Sequence, residues 1–446
     1  MTTTRTIASG AASRTSTMLS RLRGFARDEG GAAVVLAALM FPVVIGGMGL
    51  GAETGYWYMT QRKLQHAADT AAHAAAVRKM QGASETNING AADAVARKTG
   101  YSGGDPVTAA APTSGDYVGN EDAVEVVLSE ERPRLFSAVV AGLYSHEPQT
   151  TVTLGARAVA AIEKTEASGV ACVLALSGSA PGAVTVSGST NVNLAGCDVA
   201  SNSSASDSFL MSGSARLSTD CVSTVGGALP TSGLTTQCSP LRQYAPEIPD
   251  PYGSVAEPQV AGACERDNFH PTNPTTVTPA HAHPSGIPSR RYCGGLSLKG
   301  PVTFKPGLYI IDGGDFTVNA GDNSLINGTG VVFYLTNGAR LRLGGNATLN
   351  VKARTEEPFA GILFFGSRTG TAVTHQINGS SASRIQGAVY TPASDLSYSG
   401  NSGTSDSCIQ VIGRKVTMTG NSDLGSKCEG TGTRSINTNL SVALVE

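Results

Sequence analysis

Three aspartates lie close together in "IDGGDFTVNAGDN": Asp312, Asp315 and Asp322. Carboxylates so grouped can chelate calcium, or can share the acid and base roles of a polysaccharide-cleaving enzyme. Their spacing matches no calcium-loop template, and Asp-Gly is ordinary turn chemistry, so the spacing favours turn residues. A second cluster holds His270, His281 and His283, with Cys264 and Cys293 nearby. A His-x-His pair on an extended chain points both rings to one side, which suits zinc if further ligands converge. A surface loop, with the cysteines as disulfide partners, is the simpler reading. The chain contains no glycine-rich phosphate loop, nucleotide fingerprint or Ser-His-Asp motif. No catalytic residue, cofactor or metal is therefore assigned, no small-molecule substrate is evident, and the protein reads as a non-enzyme.

The elements that carry these residues follow from composition. The 446 residues allow two or three domains, and a net charge of −2 gives no reason to expect nucleic acid. Charged residues make up 15% and glycine fills 54 positions, a balance that favours stacked strands and tight turns over charged surface helices. All eight cysteines (Cys172, Cys197, Cys221, Cys238, Cys264, Cys293, Cys408 and Cys428) lie in the distal part, which implies an oxidising compartment. Eight cysteines allow 105 pairings; one of them, pairing of neighbours, joins 172 to 197, 221 to 238, 264 to 293 and 408 to 428.

Residues 30–52, "GGAAVVLAALMFPVVIGGMGLGA", carry no charge. At about 1.5 Å per residue such a helix reaches roughly 34 Å, enough for a hydrocarbon core of about 30 Å. A cleaved export signal has a shorter apolar region, so a retained transmembrane helix is expected, with a secreted adhesin freed by cleavage as the alternative. Arg5, Arg14, Arg21, Arg23 and Arg27 precede the run and keep the N-terminus cytoplasmic. Tyr56, Trp57 and Tyr58 follow it as an aromatic belt at the membrane interface. Gly47, Gly51 and Gly55 share one face, open either to helix packing in lipid or to the plain abundance of glycine in such helices. Glu53 either ends the span or pairs with a basic group on another component. Beyond it Leu64, Ala68, Ala71 and Ala75 form one stripe of a helix that continues to about Met80 and packs on a globular domain.

Residues 30–76 resemble the N-terminal segment of the Flp (Tad) pilus-assembly TadE/TadG-like proteins. The likeness is carried by the apolar helix, Glu53, the aromatic pair Trp57 and Tyr58, and Leu64, Gln65, Ala67, Ala68 and Asp69. It continues through "AVEVVLSEERPRLFSAVVAGLYSHEPQTTVTLGARAVA" to about Ala160 as a small strand-rich domain. The resemblance implies an envelope protein that works with other Flp/Tad pilus-assembly or pilin components. Pilin-like precursors often carry Glu five residues after a processing Gly; here Val35 and Leu36 stand five residues after Gly30 and Gly31. Some TadG-like proteins hold a metal through Asp-x-Ser-x-Ser in a von Willebrand A-type module. In "LALSGSA", Ala175 takes the place of that Asp.

The distal part repeats one frame: "VTVSGSTNV" from Val184, "FLMSGSARL" from Phe209, "LRLGGNATL" from Leu341 and "VTMTGNSDL" from Val416, with a weaker "LSYSGNSGT" from Leu396. Alternation predicts that Val184, Val186, Phe209, Met211, Leu341, Leu343, Val416 and Met418 face one core. The first two copies lie one coil of a three-stranded solenoid apart, and such coils bury a core only by stacking. Eleven of the 21 prolines fall between Pro230 and Pro288, which marks a loop excursion along or capping the solenoid. A TadG-like head followed by such a tail, with "ACVLALSGSA" and "GAVYTP", resembles envelope proteins of this family.

The expected fold is thus membrane-anchored α+β: a basic N-terminus at 1–29, a transmembrane pilin-like helix at 30–52, and a TadG-like helix with a small strand-rich domain at 53–167. A parallel β-helix follows at 168–446, with the Pro-rich insert at about 230–288 and a β-sandwich as the alternative. The expected place is single-pass in the lipid of a bacterial inner membrane, the bulk periplasmic or extracellular. The expected role is non-enzymatic support of Flp/Tad pilus assembly or surface attachment. The alternative, a tethered carbohydrate-binding or carbohydrate-cleaving β-helix, needs paired carboxylates or an aromatic platform, whereas Phe304, Phe333 and Phe364 sit at core-like positions.

Overall fold

The structure, a computed structural model, describes residues 30–142, 149–164, 169–194, 196–264, 266–269, 271–318, 325–344, 348–379, 383–400, 402–403, 408–425 and 427–446. Arg5, Arg14, Arg21, Arg23, Arg27, His270 and Asp322 lie outside these residues. The chain forms two compact units: one comprises the chain up to Ala76 with Glu85–Ala161 and Leu444–Glu446, the other Val77–Ser84 with Ile162–Ala443.

Helix α1 spans Gly30–Met80, includes Pro42 and belongs to the first unit as far as Ala76. Its second half buries Leu64, Ala67, Ala68, Ala71, Ala72, Ala75 and Ala76, spaced three and four apart so that they share one face. Beside that face, Gln61 Nε2 donates to the Gly155 carbonyl and Gln65 Nε2 to the Arg157 carbonyl, both at 2.7 Å, which holds the helix against the strand Thr151–Lys164. Alanine is what such a close approach requires, since a larger side chain would hold the helix off the strand. Helix α2, Glu85–Lys98, buries Ile88, Ala92 and Ala96; Glu85 in its first turn and Arg97 and Lys98 in its last complement the helix dipole. Strand Ala123–Pro133 runs antiparallel to Thr151–Lys164, from Ala123 opposite Ala161 to Pro133 opposite Thr151. The chain end closes the unit, where Val445 N–H donates to the Val159 carbonyl at 2.9 Å and the Glu446 carboxylate accepts from Arg157 at 2.7 Å.

The second unit is strand-rich, and every ladder among its described strands is parallel; the exceptions are isolated bridges, Val170 to Asn437 and His281 to Ser289. A β-sandwich, which pairs antiparallel strands, does not fit this pattern. The repeat copies lie directly on one another: Val184 opposite Phe209 on one side and opposite Val416 on the other, with Val416 in turn opposite Leu396. All eight alternating apolar residues of the frame are buried. Strands wind so that Gly307–Asp312 pairs with Val331–Thr336, and that strand with Ile362–Gly366. This stacks Tyr309, Phe333 and Phe364 inside the core, with successive ring centroids 5.5 and 5.3 Å apart.

The path of the chain through this stack is not sequential. Ala171–Ala175 pairs on one side with Asp198–Ser201 and on the other with Ile409–Thr419. The chain therefore joins the stack in its middle and adds coils in one direction through Arg242–Gln243. It then crosses the outside and returns coil by coil from Arg266–Phe269 to Ile409–Thr419. The crossing carries Ile248, Tyr252 and Val255 into a second apolar cluster with Leu174, Ile310 and Tyr390. Arg368 fastens it by donating to the carbonyls of Tyr252 at 2.7 Å and Val255 at 2.8 Å. The excursion expected over about 230–288 is thus shorter: Arg266–Phe269 and Thr275–Val277 are strands of the stack. Each has a strand partner on one side among the described pairings, a terminal position where neighbouring prolines withhold no interior ladder donor.

Four disulfides, Cys172–Cys197, Cys221–Cys238, Cys264–Cys293 and Cys408–Cys428, join neighbours along the chain, with Cα atoms 4.6 to 5.7 Å apart. Their sequence separations of 17 to 29 residues are close to one coil each. One buried polar side chain stands out from the apolar core: His375 is 1% exposed, and its Nδ1 accepts the Leu341 N–H at 3.1 Å. Burial depresses its pKa to about 4.

Candidate functional site

The longest uninterrupted apolar surface belongs to the first half of α1. It is the one helix among the described residues long and apolar enough to cross a membrane, with a mean hydropathy of 2.2 over its most apolar window. Leu39, Phe41 and Met48 are 66 to 70% exposed, so the protein itself leaves this surface uncovered. Gly47, Gly51 and Gly55 face open space, where a Cβ would meet no atom within 4 Å. Gly49 differs, because the ring of Phe136 lies over it, 2.5 Å from where a Cβ would be. Tyr56 and Tyr58 are exposed and Trp57 is half-buried.

Glu53, just beyond the uncharged run, is 3% exposed. Its carboxylate accepts Leu135 N–H at 2.6 Å, Ser137 N–H at 2.7 Å and Ser137 Oγ–H at 3.0 Å. Desolvation, the largest single influence, pushes its pKa up; the hydrogen bonds from Ser137, Leu135 and Phe136 together outweigh it and hold the group below the ordinary value. Both oxygens are thus engaged at the start of helix α3, Phe136–Gly142. Sequence spacing shows nothing of this contact across 82 and more residues, and the reading of Glu53 as a contact for another component meets a carboxylate already satisfied within its own chain.

The residues shared with the TadE/TadG-like pattern have structural work on this helix. Leu64, Ala67 and Ala68 form part of the seam against the sheet. Gln65 bridges from Asp69 Oδ1, at 2.8 Å, to the Arg157 carbonyl. Arg157 in turn is ion-paired with Glu125, a buried carboxylate that also accepts from Thr113.

In the strand-rich unit the candidate acidic site separates. Asp312 accepts from Arg291 Nε at 2.8 Å and Asn337 Nδ2 at 2.5 Å. Desolvation raises its pKa, and these partners overcome that and leave it lowered. Asp315 instead pairs with Arg340 at 3.0 Å and Arg342 at 2.7 Å. Asp312 is thus neutralised by Arg291, and Asp315 by Arg340 and Arg342, an arrangement of structural ion pairs. Cys264, Cys293 and Asp312 come together, yet the two sulfurs are joined in a disulfide and offer no thiolate for a metal. His281 is exposed whereas His283 is buried, its ring nitrogens 2.7 Å from Ser285 Oγ and 2.9 Å from the Gln259 carbonyl, so the pair does not converge. Ala175 lies in the core, which leaves no ligand where a von Willebrand-type site would start. A polar groove of about 730 Å³ is lined by Asn191, Arg216, Ser218 and Thr235 among others, with neither a carboxylate nor an aromatic ring in its walls. Phe304, Phe333 and Phe364 are buried in the core and form no platform.

The described residues thus comprise a long helix with an uncovered apolar half and strand-rich units. Residues 30–78 match the family described as Tad, putative Flp pilus-assembly TadE/G-like. The chain therefore carries a TadE/G-like segment, whose C-terminal part is the alanine seam and whose N-terminal part is the uncovered apolar helix. That match ties the chain to the Flp/Tad pilus-assembly machinery and, with the apolar helix, fits a membrane-anchored envelope protein. No curated protein and no solved structure matches the chain.

Proposed function

We propose that this protein is a non-enzymatic, single-pass envelope protein that supports Flp/Tad pilus assembly or surface attachment. Residues 30–52 span the inner membrane, the basic N-terminus stays in the cytoplasm, and the strand-rich units stand in the periplasm or beyond. In this reading the parallel strands form a β-helix whose task is positional: the helix holds it at the membrane and the stack presents surface. The observation that carries the proposal is the uncovered apolar half of α1 within the TadE/G-like segment. Exposing side chains such as Leu39 and Phe41 to water forfeits about 1.5 to 3 kcal/mol each relative to burial, a deficit that lipid removes. Four disulfides further support residence in an oxidising compartment.

The test is carbonate extraction of native membranes, followed by protease treatment of spheroplasts. The protein is expected to stay in the pellet, with the distal unit accessible from outside and the intact N-terminus retained on sequencing. Recovery of a soluble form that starts after Ala52 would show a cleaved adhesin instead. Specific binding or cleavage on a glycan array would favour the carbohydrate reading.

A further inference from the structure

Helix α3 presents an apolar surface that nothing else in its unit covers. Leu135 is 58%, Phe136 45% and Val139 69% exposed, and the chain from 135 to 145 bears no charged residue. This surface is continuous with that of α1: Phe136 packs over Gly49, and Phe136 and Val139 share a groove of about 590 Å³, lined only by apolar residues, with Phe41, Pro42 and Ile45. At about 1.5 Å per residue, Gly49 lies roughly 6 Å inward from Glu53 along α1, and Pro42 roughly 16 Å inward. Phe136 and Val139 thus lie beside the stretch of α1 that would occupy the outer half of a bilayer core.

The start of α3 is prepared for a place without water. The first amides of a helix have no intrahelical acceptor and need water or a cap. Here the Glu53 carboxylate takes the Leu135 and Ser137 N–H groups and the Ser137 hydroxyl. In hydrocarbon, where backbone donors must be satisfied from within the protein, such a cap is what permits a short helix to enter.

We propose that α3 is a second membrane contact, a short wedge inserted into the outer leaflet beside α1, with lipid acyl chains filling the groove between them. The inference rests on the reading of α1 as a spanning helix. Continuity with that uncovered surface, absence of charge and the internal cap favour lipid over a protein partner, whose interface would carry a polar rim.

The experiment uses the full chain in vesicles of phosphatidylethanolamine and phosphatidylglycerol. Because the described cysteines are all disulfide-bonded, a nitroxide can be attached at a single added thiol. Three variants are compared: Val139→Cys on the wedge, Val44→Cys on α1, and Val118→Cys, which is 56% exposed in the same unit, as the aqueous reference. The expected result is that labels at 139 and 44 collide preferentially with oxygen and are several-fold less accessible to a water-soluble nickel chelate than the label at 118. A label at 139 as accessible to nickel as that at 118, with 44 in lipid, overturns the wedge alone. Nickel accessibility at both 44 and 139 overturns the spanning reading as well. Glu53→Gln, which weakens the cap, is expected to move the label at 139 toward the aqueous value while leaving that at 44 unchanged.

Discussion

Acidification should destabilise the strand-rich unit through His375. The ring is buried among the coils, and because Nδ1 accepts the Leu341 N–H, the neutral ring carries its proton on Nε2, which has no partner among the described residues. Protonation would set a second donor against the Leu341 amide and place a charge in the core. Burial lowers the folded-state pKa from 6.5 to about 4. The unfolded chain therefore binds the proton more readily, and stability present above pH 6.5 is lost as pH falls toward 4. The full shift of 2.5 (6.5 less 4) corresponds to about 3 kcal/mol, of which roughly 2 kcal/mol is already lost at pH 5. That is a large part of the 5 to 15 kcal/mol by which a domain is typically stable, roughly speaking. The assay is guanidinium unfolding of the detergent-solubilised full chain, followed by far-ultraviolet circular dichroism at pH 7 and pH 5. The comparison is His375→Asn, which keeps an acceptor for the amide and cannot titrate there. Wild type should lose about 2 kcal/mol more than the variant across this interval. Parallel loss in both proteins would refute the reasoning.

Other substitutions probe other layers. Ala71→Leu should overpack the helix–sheet seam and cost about 1 to 3 kcal/mol, read as a lowered unfolding midpoint of the first unit. Tyr252→Ala removes a fully buried ring from beneath the crossing segment and should cost about 3 to 5 kcal/mol, with residues 246–262 opened to limited proteolysis. Cys172→Ser with Cys197→Ser should lower stability by about 3 kcal/mol under oxidising conditions and leave the reduced protein little changed, as followed by guanidinium unfolding.

What the amino-acid order makes legible is whatever repeats at short range. Val184, Val186, Phe209 and Met211 declare their burial because a strand alternates every second residue. Leu64, Ala68, Ala71 and Ala75 declare theirs by the period of a helix. Non-local partners leave no such signature. The docking of Ile409–Thr419 on Ala171–Ala175 joins segments with more than 200 residues between them, and nothing in either segment names the other. Glu53 reads as the end of a span because its partners, Leu135 and Ser137, are remote backbone amides. His375 carries no local mark of burial, with Thr374 and Gln376 on either side, although its strand places it inside. Prolines misled in one respect: they mark segment ends as well as loops, so strands Arg266–Phe269 and Thr275–Val277 were hidden among them. Asp312 and Asp315, three positions apart in sequence, are given different arginine partners by the strands that pack beside each.

The insertion of Ala171–Ala175 between its neighbours carries a consequence for biogenesis. One side of that strand is covered as soon as Asp198–Ser201 is made, while the other waits for Ile409–Thr419, far later in the chain. The first unit waits still longer, since Val445 and Glu446 complete its sheet and its arginine pairing. A translation product that stops before Ile409 would thus be left with bare strand edges in both units, a state open to proteases and chaperones.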